Sequence, residues 1–224
     1  SIGQLSAGIA HEINNPLGII QGYTQLLLRG ETADTQRHED LSTILKHAKN
    51  CKAIVEDLLN FARRSKPTAE VVNIHEVIDD ALVFLEHRSK TPDIQIHKQY
   101  QADIHSLRID EKKIKQVLIN LVMNAKHAVG EKGRIAIYTA YNADADQVLI
   151  RVKDSGYGIE PKHLKRIFDP FFTTKPTGEG TGLGLAVSYG IVKSHGGDIE
   201  VDSTPGSGTE FRVLLPANGF HYGT

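Results

Sequence analysis

One cysteine, one methionine and no tryptophan occur in 224 residues, and the first of these shortages says most. Cys51 alone cannot close an internal disulfide, and no set of cysteines exists to hold zinc, so a reducing, cytosolic setting is expected. An excess of charge of either sign is also missing. Lys+Arg 26 against Asp+Glu 27 leaves a formal net charge of -1 with 11 His counted neutral, which provides no global attraction for nucleic acid or an anionic membrane. No apolar run approaches the about 20 residues that a membrane-spanning helix needs, so no membrane contact is expected within this chain. Internal repeats and low-complexity tracts are absent too. What is present is an ordinary globular composition, 40% hydrophobic, which suits one or two domains with a real core and excludes a disordered or collagen-like chain. The chain opens Ser1-Ile2 and its single methionine is the internal Met123, which reads as a portion of something longer.

From Ser1 to about Ser65 only helical spacing is visible, broken once by Arg29-Gly30-Glu31-Thr32-Ala33-Asp34, so the spacing predicts a helical hairpin. In its second arm Leu41, Ile44, Ala48, Cys51, Val55, Leu58 and Ala62 alternate steps of three and four, a heptad seam. The first arm carries Ile2, Leu5, Ile9, Ile13, Leu17 and Ile20 on a similar stripe. Two helices cannot bury both stripes by themselves, and a hairpin that dimerises into a four-helix bundle is the economical solution. The turn Ser65-Lys66-Pro67-Thr68 stops the second arm, placing a domain boundary near residue 66, with one domain over 1–66 and another over 67–224. Beyond it Asn73 and Glu76 have capping-box spacing before a helix to about His87. Strands are predicted at Ile94–Tyr100, Ile104–Ile109, Arg134–Tyr141, Val148–Val152, Ile199–Asp202 and Glu210–Leu215. Helices are predicted at Glu111–Val129, Pro161–Ile167 and Leu183–His195, the last closed by Gly196-Gly197. The fold class is thus a helical hairpin followed by an α+β domain, a mixed sheet layered with helices on one side.

Three groups of residues in this pattern can carry chemistry. His11 lies about 160° from both Ile9 and Ile13 on a helical wheel, on the face opposite the stripe. Glu12 can orient its ring, and Pro16 cannot donate to the Glu12 carbonyl, which should kink or loosen the helix there. Taken alone, an exposed helical histidine is ordinarily just a surface residue. In Glu111–Val129, Gln116, Asn120, Asn124 and His127 recur at steps of four, four and three beside an apolar face of Ile114, Val117, Leu118, Leu121, Val122 and Ala125. Neutral oxygens on one face suit a hard cation such as Mg2+ bound together with substrate phosphates, and a solvated face or an interdomain contact would give the same pattern. Asp154-Ser155-Gly156-Tyr157-Gly158 follows a predicted strand. There the glycines allow close backbone approach and the Asp154 carboxylate can accept from the exocyclic amine of a purine. Downstream, Thr177-Gly178-Glu179-Gly180-Thr181-Gly182-Leu183-Gly184-Leu185 runs into a predicted helix after Lys175, offering backbone N–H groups and a movable positive charge to phosphate oxygens. It is neither a Walker loop nor a dinucleotide fingerprint, and a plain flexible loop has the same composition. Gly206-Ser207-Gly208-Thr209 by itself reads as a hairpin turn.

Taken in order, these segments resemble the sensor histidine kinases of two-component systems. His11-Glu12-Ile13-Asn14-Asn15-Pro16-Leu17 is similar to the phospho-acceptor box, most like that of the nitrogen-regulation and sporulation sensor kinases. Gln116 to Ala125 resembles the N box, Asp154 to Gly158 the first glycine box, Phe168-Asp169-Pro170-Phe171-Phe172-Thr173-Thr174-Lys175 the phenylalanine box, Gly180 to Leu185 the second glycine box, and Gly206 to Phe211 the third. The resemblance implies a dimerising phosphotransfer hairpin followed by a Bergerat-fold (GHKL) α/β sandwich that binds ATP and Mg2+. It implies Asn124 as the metal ligand, Asn120 and His127 beside the phosphates, and Asp154 on the adenine amine with Gly156, Gly158 and Thr209 around it. Phe168 to Gly182 would form the lid, with Lys175 on the terminal phosphate and Gly180, Gly182, Leu183 and Gly184 contributing backbone. His11 would be the phosphate acceptor and Glu12 its base.

Two details of this sequence sharpen the expectation. Gyrase-type and Hsp90-type ATPases carry a water-activating Glu where this chain has Asn120, so hydrolysis should be slow and transfer to His11 favoured. Asn15, one turn after His11 on the same face, matches a position that family phosphatases use to hold a water. The implied partners are a second copy of the chain, through the hairpin, and the receiver domain of a response regulator, whose phospho-aspartate the same protein would also hydrolyse. Two competing readings are an ATPase or serine/threonine kinase of the same superfamily and an adaptor without catalysis. The His11-Glu12 box beside Pro16 argues against the first, and Asn124, Asp154 and the lid glycines against the second.

Overall fold

The structure is a computed structural model that describes residues 2–33, 35–62, 70–88, 93–102, 104, 106–176 and 180–217. By contact the chain divides into two compact units, Ser1–Ser65 with Asp169–Gly184, and Lys66–Phe168 with Leu185–Thr224. The predicted domain-boundary turn at 65–68 lies outside the described residues. Among the described residues no helix is long and apolar enough to cross a membrane.

The first unit contains the hairpin of α1 (Ile2–Arg29) and α2 (Gln36–Ala62), which pack along each other. α1 stays helical through Pro16, so the expected loosening does not break it. Thr35 starts α2: its hydroxyl oxygen accepts from the His38 N–H at 3.1 Å, an N-cap bond, while Arg37 pairs with Glu31 at 3.3 Å across the turn. The two seams differ from the sequence reading in a telling way. In α2, Leu41 and Ala48 are buried and Val55 half-buried, whereas Ile44 and Cys51 are exposed. In α1 the less exposed positions are Asn14, Leu17, Gln21, Thr24 and Leu28, while Ile13, Ile19, Ile20, Tyr23, Leu26 and Leu27 are exposed, Tyr23 by 68%. Among the side chains that are described, the hairpin therefore shields a polar-tinged seam and leaves most of its apolar stripe exposed; those of Ile2, Leu5, Ile9, Leu58 and Ala62 lie outside the described residues.

The second unit builds its sheet in the order β2 (Ile94–Tyr100), β4 (Gly133–Asn142), β5 (Gln147–Asp154), β7 (Gly208–Pro216), β6 (Asp198–Thr204). Only β2 and β4 are parallel; the other neighbours are antiparallel. β1 (Glu70–Val72) and β3 (Leu107–Ile109) form a separate antiparallel pair. α3 (Ile74–Arg88) packs on α4 (Glu111–Val129), which lies across β4, β5 and β7. A four-residue α5 (Pro161–Leu164) and α6 (Gly184–Ser194) complete the set. Along β5 the burial alternates, Val148, Ile150, Val152 and Asp154 inside, as a sheet covered by helices on one face requires. Ile114, Val117, Leu118, Leu121, Val122 and Ala125 of α4 all meet that face and are buried, each large aliphatic stabilising the unit by about 1.5–3 kcal/mol.

Asn73 opens α3, but not by the reciprocal box. Its side-chain oxygen accepts from the His75 N–H at 3.0 Å, while Glu76 meets its amide at 3.3 Å instead of reaching the backbone. Asp110 caps α4 by accepting from the Lys113 N–H at 3.1 Å. α6 ends at the predicted glycines, with Gly196 at φ 70 and the Gly197 N–H on the Val192 carbonyl at 3.0 Å.

These two caps are tied together by His195, which is 1% exposed. Its Nδ1 lies 2.8 Å from the Ile191 carbonyl, which only accepts, so Nδ1 carries the proton; Nε2 accepts from the Asp110 N–H at 3.1 Å. The ring is held neutral, and burial pulls its pKa below the ordinary value, with nearby Lys113 acting in the same direction and Asp110 against it. Protonation would set an Nε2–H against the Asp110 N–H. A histidine with a folded-state pKa below its unfolded one contributes stability that is whole above about pH 6.5 and is lost as the pH falls through the folded value. The urea midpoint should therefore drop between pH 7 and pH 5, and drop less in His195→Gln, where no ring titrates; equal slopes in the two proteins would refute this.

Candidate functional site

Asp154 is the last residue of β5 and points to the helix-covered side of the sheet, 5% exposed. Its Oδ1 accepts from two backbone N–H groups, Gly156 at 2.8 Å and Thr209 at 3.2 Å. Burial raises its pKa from the ordinary carboxylate value while these two donors pull it down. A carboxyl group with one oxygen committed to the scaffold and the other oriented by it is a preset acceptor for a ligand donor.

The loops that supply those donors are locked by close contact. A Cβ on Gly156 would stand 2.5 Å from the Ala128 carbonyl carbon, at the end of α4. One on Gly208 would stand 2.0 Å from the Asp154 carbonyl oxygen, and Gly208 sits at φ +97. Only glycine lets the β6–β7 turn pass this close to the end of β5. Gly158, also in the loop after β5, lies against Thr204, and Thr209 is buried with its hydroxyl 2.9 Å from that of Ser203.

On the neighbouring face of α4, Gln116, Asn120 and Asn124 are half-buried and His127 is exposed. Asn120 is anchored: its Nδ2 donates to the Oγ of Ser188 on α6 at 2.8 Å, which leaves its carbonyl oxygen as the acceptor end. Ser188, 1% exposed, escaped the sequence reading; a serine on the buried face of an otherwise apolar helix was the available signal. Tyr157, whose hydroxyl lies 3.3 Å from the His127 Nδ1, escaped it too. As to a metal, no group of three or more His, Cys, Asp and Glu side chains placed to hold an ion occurs among the described residues. The donors on this face are neutral amide oxygens, a set that suits Mg2+ carried in with phosphates and does not make a cage for a free ion.

Phe168 is half-buried with its ring 5.2 Å from that of Tyr189 on α6. The rest of the expected lid belongs to the first unit by contact. There the Lys175 N–H donates to the Thr173 hydroxyl oxygen at 3.1 Å, Gly180 lies beside the Thr173 and Lys175 side chains, Gly182 against Phe171, Leu183 is fully buried, and Gly184 opens α6. Of the phospho-acceptor box, His11 is in α1, its side chain outside the described residues, and Glu12 and Asn15 are exposed. The structure thus gathers Asn120, Asn124, His127, Asp154, Gly156, Gly158 and Thr209 in one unit, and His11, Glu12 and Asn15 on one helix of the other.

Comparison with known families fits both units. Residues 1–67 match the His Kinase A (phospho-acceptor) domain, and residues 109–219 match the histidine kinase-, DNA gyrase B-, and HSP90-like ATPase family. This chain belongs to the sensor histidine kinases of two-component systems. It is 38% identical over 97% of its length to the signal transduction histidine-protein kinase AtoS of Escherichia coli (strain K12), of which it spans 35%. Among solved structures, the catalytic domain of histidine kinase ThkA is 34% identical with a TM-score of 0.60, covering 67% of this chain and 96% of that one. ThkA in complex with response regulator protein TrrA superposes with a TM-score of 0.71 at 28% identity, covering 97% of this chain and 62% of that one.

Proposed function

We propose that this chain is the catalytic core of an ATP-dependent protein-histidine kinase that phosphorylates itself on His11 and passes the phosphate to an aspartate of a response-regulator receiver domain. The observation that carries the reading is Asp154: a buried carboxyl group oriented by two backbone N–H groups, in the unit that matches an ATPase family, joined in one chain to a phospho-acceptor match. Its second oxygen accepts from the adenine amine. Asn120 and His127 hold the phosphates, Asn124 holds Mg2+, and Lys175 neutralises the terminal phosphate. When bound, Mg2+ supplies charge neutralisation on the phosphates. The His11 nitrogen attacks the γ-phosphorus in line; an N–P bond forms, the bond to the bridging oxygen breaks, ADP departs with that oxygen, and the ring proton passes to Glu12. Asn120 cannot take a proton from water, so hydrolysis stays slow.

The working unit is a homodimer. The exposed Ile13, Ile20, Tyr23 and Leu27 of α1 and Ile44 of α2 form the surface that a second hairpin covers in a four-helix bundle. Asn15, exposed on α1, holds the water that hydrolyses the regulator's phospho-aspartate. The test is incubation with γ-labelled ATP and Mg2+ followed by acid and alkali. Acid-labile, alkali-stable label is expected, and acid-stable label would instead mark a serine or threonine acceptor. In the reverse reaction, Asn15→Ala should slow dephosphorylation of a phosphorylated regulator at least about tenfold, and an unchanged rate removes that role.

A further inference from the structure

Tyr157 stands between the two glycines of the loop after β5 and has no part in the roles assigned so far. It is 54% exposed, yet it is held firmly. Its N–H donates to the Ala128 carbonyl at 3.2 Å, and its own carbonyl accepts from the Gly206 N–H at 2.8 Å. Gly156 makes this possible by leaving no Cβ against Ala128. The backbone of Tyr157 is thereby fixed beside the last turn of α4, next to the residue that follows His127. Its ring meets the His127 imidazole edge-on, with centroids 6.4 Å apart and planes at 85°, and its hydroxyl lies 3.3 Å from Nδ1.

We infer that Tyr157 is a positioning residue for His127: its hydroxyl donates to Nδ1, so the ring carries its proton on Nε2 and donates from there to a phosphate oxygen of the bound nucleotide. A neutral imidazole has one donor and one acceptor nitrogen. If Nδ1–H instead donated to the phenol oxygen, Nε2 would present a lone pair to the phosphates and repel them. Burial and the negative Asp154 raise the Tyr157 pKa above its ordinary value, so the phenol keeps the proton that this bond requires it to donate. Tyrosine suits this task because only two side-chain torsions need fixing once its backbone is clamped.

This inference rests on the ATP-site reading, and its test separates the two. Nitrogen chemical shifts of the His127 ring in the nucleotide-free protein, identified by the signal missing in His127→Gln, report the tautomer without any ligand. Nδ1 should be unprotonated in the wild type, with a larger Nδ1–H fraction in Tyr157→Phe. Titration with ATP and with adenosine supplies the second readout. Tyr157→Phe should weaken ATP about fivefold and leave adenosine within about twofold, with no further loss when it is added to His127→Gln. An Nδ1–H ring in the wild type overturns the inference, as does equal weakening of both ligands or full additivity of the two substitutions. A wild type that binds neither ligand while keeping the Nε2–H ring overturns the ATP-site reading and the phosphate contact with it.

Discussion

His11→Gln is expected to abolish the acid-labile label entirely while ATP binds within about twofold of the wild-type affinity, since the substitution removes the nucleophile and leaves in place every group assigned to holding adenine, phosphates or Mg2+. An imidazole nitrogen offers a localised lone pair to phosphorus. The glutamine amide nitrogen has delocalised its pair into the carbonyl, so it matches much of the size of the ring without its reactivity. Glutamine is also a good helix former, and His11 lies well inside α1, so the hairpin should persist. ATP turnover in the variant then measures bare hydrolysis. With an amide at position 120, anchored on Ser188, that background should be small. Label that survives in His11→Gln would move the acceptor elsewhere and defeat the assignment.

The second large effect is expected at Asp154. Asp154→Asn preserves an oxygen for the Gly156 and Thr209 N–H groups that now meet Oδ1. The other position becomes an amide NH2, which faces the adenine amine donor to donor. Loss of a bond to a charged acceptor together with an unsatisfied donor amounts to about 3 kcal/mol, roughly a 100-fold weaker ATP complex. Stability should hardly fall, because the substitution removes a carboxylate that burial already disfavours. Purines with a carbonyl at that ring position, such as inosine triphosphate, should lose less than ATP or gain. The check is calorimetric titration of both nucleotides beside a thermal melt. Equal loss of both nucleotides with an unchanged melting temperature would mean that Asp154 does not read the amine.

Much of this was legible in the sequence for identifiable physical reasons. The predicted span of α4 matches to the residue because its apolar residues repeat without interruption, and Asp110 and Gly130 cap the helix at its two ends. β5 and β7 run one or two residues past their predicted spans at each end, since pairing extends past the apolar stretch. β1 went unseen: three residues carry no period, and its partner is the equally short β3, read as starting at Ile104. The helix predicted over Pro161–Ile167 stops at Leu164, where His163 and Arg166 take bonds to residues three back, a tighter winding that apolar spacing does not distinguish.

At the site, Asp154 and its glycines were visible because strand, carboxylate and glycine fall together along the chain. Ser188 and Tyr157 were not, because each acts on a residue far away in sequence, Asn120 and His127 respectively. The offset of the α1 seam was equally hidden. Helical periodicity shows that a stripe exists, and only packing decides that Asn14, Gln21 and Thr24 are shielded while Ile13 and Ile20 are exposed.

The parallel pairing of β2 with β4 bears on how the second unit opens and closes. A parallel neighbour cannot be reached by a hairpin, and the stretch that bridges these strands contains α4 itself. Docking of that helix shortens the connection between the two strands, so the amides of β2, α4 and β4 are expected to become exchangeable with solvent as one cooperative block. A nucleotide gripped by α4 would then slow the exchange of β2, a strand that carries none of the candidate site residues, by the mass-action weight of its own binding.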